Sequence, residues 1–139
     1  MRCYCSFCRR TSGSGGYGIN IMAEKETLTF TGDEVLGSHH GMVHDQDTDV
    51  LRQSPGLRYF CRECGSPLWA ADPRWPQWFY PFASAIDTVL PKPPETVHIM
   101  LDFKAPWVYV LTGEGHRHFD RFPDESILDW HYRHGLYIE

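Results

Sequence analysis

Cys3-Tyr4-Cys5-Ser6-Phe7-Cys8 places three thiols close together near the start of the chain. A Cys-X-Cys followed by X2-Cys lets three thiolates surround one ion, because short turns can bring each sulfur to the roughly 2.3 Å that zinc requires. Three protein ligands leave one position of a tetrahedral zinc open, and open positions are typical of catalytic sites. The segment therefore predicts an open, catalytic-type zinc site at Cys3, Cys5 and Cys8.

A second thiol pair follows in Cys61-Arg62-Glu63-Cys64. Two ligands rarely hold zinc, so the pair needs either further ligands or another role. His39, His40 and His44 lie in a polar stretch and could complete a mixed site, or they could form a solvated loop. A third alternative is closure of the pair as a disulfide.

The residues around both groups of cysteines resemble a known family. Cys3-Tyr4-Cys5-Ser6-Phe7-Cys8-Arg9-Arg10-Thr11-Ser12-Gly13 resembles the Cys-His-Cys-Ser-X-Cys-Arg-Lys-X-Ser-Gly signature of the glutathione-dependent formaldehyde-activating enzyme family, which includes centromere protein V. Arg58-Tyr59-Phe60-Cys61-Arg62-Glu63-Cys64-Gly65-Ser66-Pro67-Leu68 resembles that family's second signature, Arg-X-Phe-Cys-X-X-Cys-Gly-Ser-X-Leu. The resemblance covers about residues 1–123.

The resemblance implies a fold and a reaction. The fold would be mainly β, a β-tent-like zinc-binding domain of short antiparallel sheets, and the C-terminal helix would lie in an extension over 123–139. The reaction would be condensation of formaldehyde with the thiol of glutathione to S-(hydroxymethyl)glutathione, a carbon–sulfur lyase activity.

One departure from the family pattern concerns the start of the chain. Family members carry an earlier Cys-X-Cys that joins the later pair in a closed structural zinc site, whereas only Met1 and Arg2 precede Cys3 here. The resemblance thus implies a shortened N-terminus, with Cys61 and Cys64 as the remnant of the structural site. Exposed sheet edges recruit partners, so we expect either a homodimer or a true start codon further upstream.

The chemistry of three thiolates also indicates a substrate class. Three thiolates on Zn²⁺ leave a net negative charge, so such a centre acidifies water poorly and suits a thiol instead. A thiol in the open position would be held as a nucleophile. Arg9 and Arg10 are candidates for binding the carboxylates of a peptide thiol such as glutathione.

Composition narrows the remaining possibilities. A chain of 139 residues that is 42% hydrophobic suits one domain, here 1–139. A net charge of −5 argues against nucleic acid as a partner. No apolar run approaches the ~20 residues of a membrane span, and no signal segment is visible, so we expect a cytoplasmic protein with no membrane partner.

The hydrophobic pattern predicts a series of short strands, one helix and a polar loop. Alternation predicts strands over 17–22, 27–31, 57–60, 67–70, 96–101 and 107–111. Acids early and basic residues late, with Gly135 beyond them, predict a helix over 123–135. The polar stretch 39–49 is expected to be an exposed loop.

Three functions follow from these observations. The first is a zinc-dependent carbon–sulfur lyase that acts on a small thiol and an aldehyde. The second is a non-enzymatic zinc-binding module that presents a partner-binding surface. The third is a redox or metal-buffering role of Cys61 and Cys64.

Overall fold

Short strands dominate the regular structure, as the sequence predicted. The computed structural model describes residues 1–12, 14–45 and 48–138. Nine strands occur in these ranges: β1 (Arg2–Cys3), β2 (Gly18–Ile19), β3 (Ala23–Glu24), β4 (Leu36–His44), β5 (Leu51–Cys61), β6 (Pro67–Ala71), β7 (Trp78–Pro81), β8 (Thr96–Ile99) and β9 (His116–His118). The same ranges hold α1 (Ser6–Ser12), α2 (Ile127–Arg133) and four 3-10 helices at Lys25–Thr27, Asp33–Val35, Ala83–Ala85 and Leu101–Phe103.

The two ends of the chain together build the first of two structural units, over 1–20 and 88–139. Its sheet has the order β2-β1-β8-β9. β1 pairs antiparallel with β2 and parallel with β8, and β8 pairs parallel with β9. The strand that carries Cys3 is therefore held on both sides.

Successive residues of β1 and β8 face opposite sides of this sheet, because side chains alternate along a strand. On one side Cys3 and Cys8 cluster with Val97 and Ile99. On the other side lies a second cluster, made of Tyr4, Ala105 and Val108. The cysteine trio thus occupies one side of the sheet, and the buried Tyr4 marks the other.

The second unit, over 21–87, is a five-stranded antiparallel sheet in the order β3-β7-β6-β5-β4. Its buried aromatic residues include Trp69, Phe79 and Phe82. Trp69 stacks on Tyr59 with ring centroids 5.0 Å apart. β5 ends at Cys61, so the Cys-X-X-Cys forms the connection from β5 to β6.

Several strand predictions are confirmed and others are wrong. Strands run through 57–60 and 67–70 and through most of 96–101, whereas only β2 forms within 17–22. The predicted strands over 27–31 and 107–111 are absent, and β9 was missed. In the second of these regions a turn forms instead, in which the Val108 N–H donates to the Ala105 carbonyl at 3.0 Å.

The expected loop over 39–49 is also wrong in its first half. Residues 39–44 belong to β4, which pairs with β5, and Gln46 and Asp47 lie outside the described residues. The polar residues of this segment indicated a loop, but β4 is an edge strand. Polar side chains of an edge strand can face solvent while the backbone stays regular.

The C-terminal helix is confirmed but is shorter than predicted. Ser126 caps its start by accepting a hydrogen bond from the Asp129 N–H at 3.0 Å. Gly135 follows its end with a φ of 64°, a conformation that favours glycine. Neither α-helix of the described chain has the length and apolar run needed to cross a bilayer.

Candidate metal centre

The three predicted ligands come together in the first unit. Cys3 ends β1, Cys5 directly precedes α1, and Cys8 lies within α1. Their sulfur atoms all lie within 4.8 Å of one another. Among the residues that the structure describes, no other group of three or more Cys, His, Asp or Glu side chains is arranged to hold a metal ion.

Close packing of α1 on β2 brings Cys8 to Cys3. Gly18 lies opposite Cys3 in the register of β1 and β2. A Cβ atom added at Gly18 would lie 3.0 Å from Ser12 Oγ and 3.3 Å from Cys8 Cβ. The absence of a side chain at Gly18 therefore lets α1 approach the strand closely enough to complete the trio.

Local hydrogen bonds orient the sulfur of Cys5. The Cys8 N–H donates to Cys5 Sγ at 3.3 Å, and the Arg9 N–H donates to the Cys5 carbonyl at 3.0 Å. A backbone N–H that points at a sulfur stabilises negative charge there. The first turn of α1 thus holds the Cys5 sulfur against a backbone N–H group.

The close packing of the three thiols changes the pKa of Cys3 and of Cys5. Hydrogen bonds with Cys5 and Cys8, together with burial, raise the pKa of Cys3 far above its ordinary value. The pKa of Cys5 is also raised: its bond with Cys3 opposes the rise, but its bond with Cys8 and its burial outweigh that effect. Three neighbouring thiolates repel one another in a buried place, and a cation among them would remove this repulsion.

The donor set fits a zinc ion. Tetrahedral coordination with Zn–S bonds of about 2.3 Å places sulfurs about 3.8 Å apart, within the 4.8 Å that the trio spans. Thiolates are also the ligands that zinc takes in many protein sites. Cys3, Cys5 and Cys8 would hold it.

Apolar side chains surround the trio. Cys3 and Cys8 are buried with Val97 and Ile99 of β8, and further partly buried side chains pack against this cluster: Met1, Cys5, Met100, Phe119 and Trp130. Trp130 belongs to α2, so the C-terminal helix contributes to the surroundings of the cysteines. A metal bound here would lie in a site with restricted access to water.

The Cys61 and Cys64 pair lies in the second unit, in a tight turn. The Gly65 N–H donates to the Cys61 carbonyl at 2.8 Å, and Gly65 has a left-handed φ of 74°, a conformation that favours glycine. Cys64 is exposed, and hydrogen bonding with Ser66 lowers the pKa of its thiol. No third ligand joins this pair in the described part of the chain, and its role as a remnant metal site stays a prediction.

The three histidines considered as partners of this pair have other contacts. His40 Nδ1 lies 3.0 Å from the Ser54 carbonyl, and His44 Nδ1 lies 3.1 Å from the Asp49 carbonyl. His39 packs edge-on against Phe60. These histidines therefore support the β4–β5 hairpin and its turn.

The two arginines that follow the trio differ in their surroundings. Arg10 is exposed, whereas Arg9 is partly buried and its Nε atom has no hydrogen-bond partner. Their assignment to substrate binding stays a prediction, and the difference between them is taken up below.

A hydrogen-bonded chain that the sequence did not reveal lies on the other side of the same sheet. Tyr4 Oη lies 2.8 Å from His98 Nδ1, and His98 Nε2 lies 3.0 Å from His116 Nδ1. Burial, together with the nearby His118 and Arg2, lowers the pKa of the fully buried His98 to about 4. His98 is consequently neutral, with both ring nitrogens bonded; the alternation of β8 could have placed it opposite Val97 and Ile99, but not beside Tyr4.

A mainly β fold with an open group of three metal-competent thiols defines the class of this protein, and two comparisons name its family. The family model described as glutathione-dependent formaldehyde-activating enzyme matches residues 1–100. A relative from Halomonas elongata, provisionally named a glutathione-dependent formaldehyde-activating enzyme, is 50% identical over 135 residues, which are 97% of this chain and 82% of the relative. The chain belongs to the glutathione-dependent formaldehyde-activating enzyme family.

Proposed function

We propose that this protein is a zinc-dependent carbon–sulfur lyase that condenses glutathione with formaldehyde. The thiol sulfur adds to the carbonyl carbon, the thiol proton ends on the carbonyl oxygen, and the product is S-(hydroxymethyl)glutathione. The observation that carries the proposal is the approach of the Cys3, Cys5 and Cys8 sulfurs within 4.8 Å of one another. Family membership and the name of the Halomonas relative support the substrates.

The cysteines and the apolar residues around them have different roles in this reaction. When bound, a zinc ion supplies an open coordination position that lowers the pKa of an entering thiol. Cys3, Cys5 and Cys8 would hold the ion, and their negative charge would favour a sulfur ligand over water. Ile99 and Trp130 help keep the surroundings apolar, which strengthens electrostatic interactions at the reacting sulfur.

The arginines on α1 supply the positive charge that a peptide thiol needs. We assign Arg9 and Arg10 to binding the glutathione backbone and its carboxylates, because both directly follow Cys8 in α1. Arg10 is exposed and can meet a carboxylate at the surface. Glutathione carries two carboxylates, so one exposed and one partly buried cation suit it.

The test is a comparison of condensation rates. Zinc-loaded protein with formaldehyde and glutathione should speed formation of the adduct, measured by NMR exchange between the free and bound aldehyde, over the reaction without protein. Cys5→Ser should abolish the acceleration, whereas Ser14→Ala, at an exposed position just past α1, should retain it. Equal rates with and without protein, across several thiols, would favour a non-enzymatic binding module.

Location and assembly are part of the same proposal. All five cysteines are free thiols, which supports a reducing compartment such as the cytoplasm. β4 lies at the edge of the second unit's sheet, and its Met42 is half exposed. Because exposed strand edges pair readily, we propose a homodimer; light scattering at the monomer mass would contradict it.

A further inference from the structure

Tyr4 lies between two of the three predicted metal ligands, and its side chain points away from them. β1 ends at Cys3 and Cys5 directly precedes α1, so Tyr4 and Cys5 connect the strand to the helix. The Cys3 side chain packs on one side of the sheet. The Tyr4 side chain is fully buried on the other side, with Ala105 and Val108. Tyr4 shares one peptide unit with Cys3 and one with Cys5, so the orientation of its backbone sets the directions of both ligands.

One backbone hydrogen bond ties this connection to the sheet. The Tyr4 N–H donates to the Ile99 carbonyl at 3.0 Å, which continues the parallel pairing of Cys3 with Ile99. This bond fixes where Tyr4 lies along β8. It does not fix the two soft dihedral angles of Tyr4, about which the chain turns as it leaves the sheet.

The Tyr4 side chain supplies a second attachment. Tyr4 Oη lies 2.8 Å from Nδ1 of the fully buried His98. His98 precedes Ile99 on β8, so the backbone bond and the side-chain bond hold Tyr4 to adjacent residues of one strand. Two attachments at opposite ends of the residue resist a rotation that a single backbone bond would allow.

His98 is itself held in place on several sides. β8 is paired with β1 on one side and with β9 on the other. His98 Nε2 lies 3.0 Å from His116 Nδ1, and the His98 ring stacks on His118 with centroids 4.9 Å apart and 4° between the ring planes. Both ring nitrogens of His98 therefore have a partner, and the chain of bonds runs from Tyr4 across β8 to β9.

A polar pair is a costly way to fill this part of the fold. Burial of a hydroxyl and an imidazole removes hydration that apolar side chains do not have, and the hydrogen bonds offset this cost with only a small net gain. What a fully satisfied buried network adds is direction, because it holds its elements in one arrangement. Cys3 and Cys5 are the neighbours to which this direction is transmitted.

We propose that Tyr4 is a positioning residue of the metal centre, which acts through Cys3 and Cys5. Its bond with His98 fixes the rotation of the connection from β1 to α1, and thereby the directions of two of the three sulfurs. The inference rests on the proposed function, because it takes the trio as the zinc site of the lyase. Tyr4 touches neither metal nor substrate, so loss of its hydroxyl should change the affinity and geometry of the metal site.

The first experiment measures zinc affinity by competition with a chelating dye. Tyr4→Phe removes only the hydroxyl and leaves the ring to fill its cluster. Its zinc affinity should fall about tenfold, the lower end of the effect of losing a group that orients metal ligands. Tyr17→Phe is the matched control, because it removes a hydroxyl from the ring that packs on Tyr4 with centroids 5.2 Å apart. The control should change the affinity less than about twofold, and an equally small change in Tyr4→Phe would overturn the proposal.

Val108→Ala separates positioning from general stability. Val108 packs in the same cluster as Tyr4 but lies outside β1 and α1. Its truncation should lower the unfolding midpoint of the metal-free protein at least as far as Tyr4→Phe does. While the protein is folded, Val108→Ala should keep the zinc affinity within about twofold. Equal losses of zinc affinity in Val108→Ala and Tyr4→Phe would show that Tyr4 is a packing residue only.

Cobalt(II) in place of zinc gives a spectroscopic readout of the same difference. Its absorption bands depend on the geometry of the thiolate ligands. The bands should shift in Tyr4→Phe, because the directions of two sulfurs change, and should keep their positions in Val108→Ala. Bands at the wild-type positions in Tyr4→Phe would contradict a positioning role.

A double-variant cycle tests the bond between Tyr4 and His98 and covers the case in which Tyr4→Phe does not fold. His98→Leu should weaken zinc binding about as much as Tyr4→Phe, and the double variant should weaken it no further than the larger of the two losses. The double variant replaces both partners by apolar groups, the combination that costs least in folding, so it carries the test alone where a single variant fails. Wild-type zinc affinity in the double variant, or additive losses, would overturn the role of the bond.

Activity distinguishes failure of this inference from failure of the proposed function. If the zinc-loaded wild type condenses glutathione with formaldehyde and Tyr4→Phe has the wild-type zinc affinity and cobalt bands, the positioning role is wrong while the lyase stands. If the wild type condenses no thiol but Tyr4→Phe weakens zinc binding and shifts the cobalt bands, the positioning role stands while the lyase is wrong.

Discussion

The indole Nε1 of Trp130 donates a hydrogen bond to Glu95 Oε1 at 3.0 Å, and this bond joins α2 to the segment that leads into β8. Arg133 extends the connection with bonds of 2.7 Å to Glu95 and 2.6 Å to Glu125. The ring of Trp130 meanwhile packs against the cluster of Cys3, Cys8 and β8 side chains. One residue of the C-terminal helix thereby supports both the ion pairs and the surroundings of the cysteines.

Loss of this side chain should destabilise the first unit. Trp130→Ala should lower the free energy of unfolding by about 2–3 kcal/mol, since the large ring is only partly exposed and its removal leaves a cavity. Urea denaturation checks this value. Tyr132→Ala, at a more exposed position of the same helix, should cost less than about 1 kcal/mol. Equal losses in the two variants would contradict a supporting role for Trp130.

Metal content separates the two groups of cysteines. Purified protein should contain about one zinc per chain. Cys5→Ser should remove it, because Cys5 is one of the three converging sulfurs, while Cys64→Ser should keep it. Elemental analysis after dialysis measures the content. Zinc that survives in Cys5→Ser, or that is lost in both variants, would contradict the assignment.

The close approach at Gly18 should control metal affinity. Gly18→Ala would place a methyl group 3.0 Å from Ser12 Oγ and 3.3 Å from Cys8 Cβ, so the side chains of Ser12 and Cys8 must move by a few tenths of an ångström. We expect zinc affinity to fall at least about tenfold, since small displacements of ligands are costly at metal sites. Competition with a chelating dye gives the affinity. An unchanged affinity would mean that α1 can move without disturbing Cys8.

Acid should weaken the fold through His98. Its pKa is lowered to about 4 by burial and by nearby positive charge, so the unfolded chain binds a proton between about pH 6.5 and 4 that the folded chain does not. The contribution of neutral His98 to the free energy of unfolding is fully present above about pH 6.5. It is lost as the pH drops through this window, by roughly 3 kcal/mol at most. The slope should be visible between pH 6.5 and 5 in urea denaturation, above the range in which carboxylates titrate.

His98→Gln isolates this contribution. The variant should be less stable at pH 7, because it loses hydrogen bonds with Tyr4 or His116. Its stability should depend less on pH between 6.5 and 5 than that of the wild type. Parallel pH profiles of the two proteins would show that another group causes the acid effect.

The sequence predicted the convergence of the three cysteines better than it predicted the strands around them. Spacing alone brought Cys3, Cys5 and Cys8 together, because neighbours in sequence need only a short turn to converge. The helix that carries Cys8 was not foreseen, since α1 has seven residues and too little periodicity to reveal it. The polar strand β9 was missed because three residues are too few to show an alternating pattern. This strand forms through its pairing with β8, which is a tertiary contact.

The bond between Tyr4 and His98 was equally hidden from the sequence. Alternation along a strand indicates which residues share a side of a sheet, but not which strands are neighbours. Residues 94 positions apart meet here only through the parallel pairing of β1 with β8. A sequence pattern gives no information on whether a polar atom has a partner, because that depends on distances between elements.

The pairing of Cys3 with Ile99 also determines the order in which parts of the protein can fold. These residues are 96 positions apart, whereas the β4–β5 hairpin closes between near neighbours. Contacts at long separation form late, because a large loop must first be ordered. During synthesis the β4–β5 hairpin can therefore form on the ribosome first. The three thiols are translated earlier, but β1 cannot pair until β8 has been synthesised.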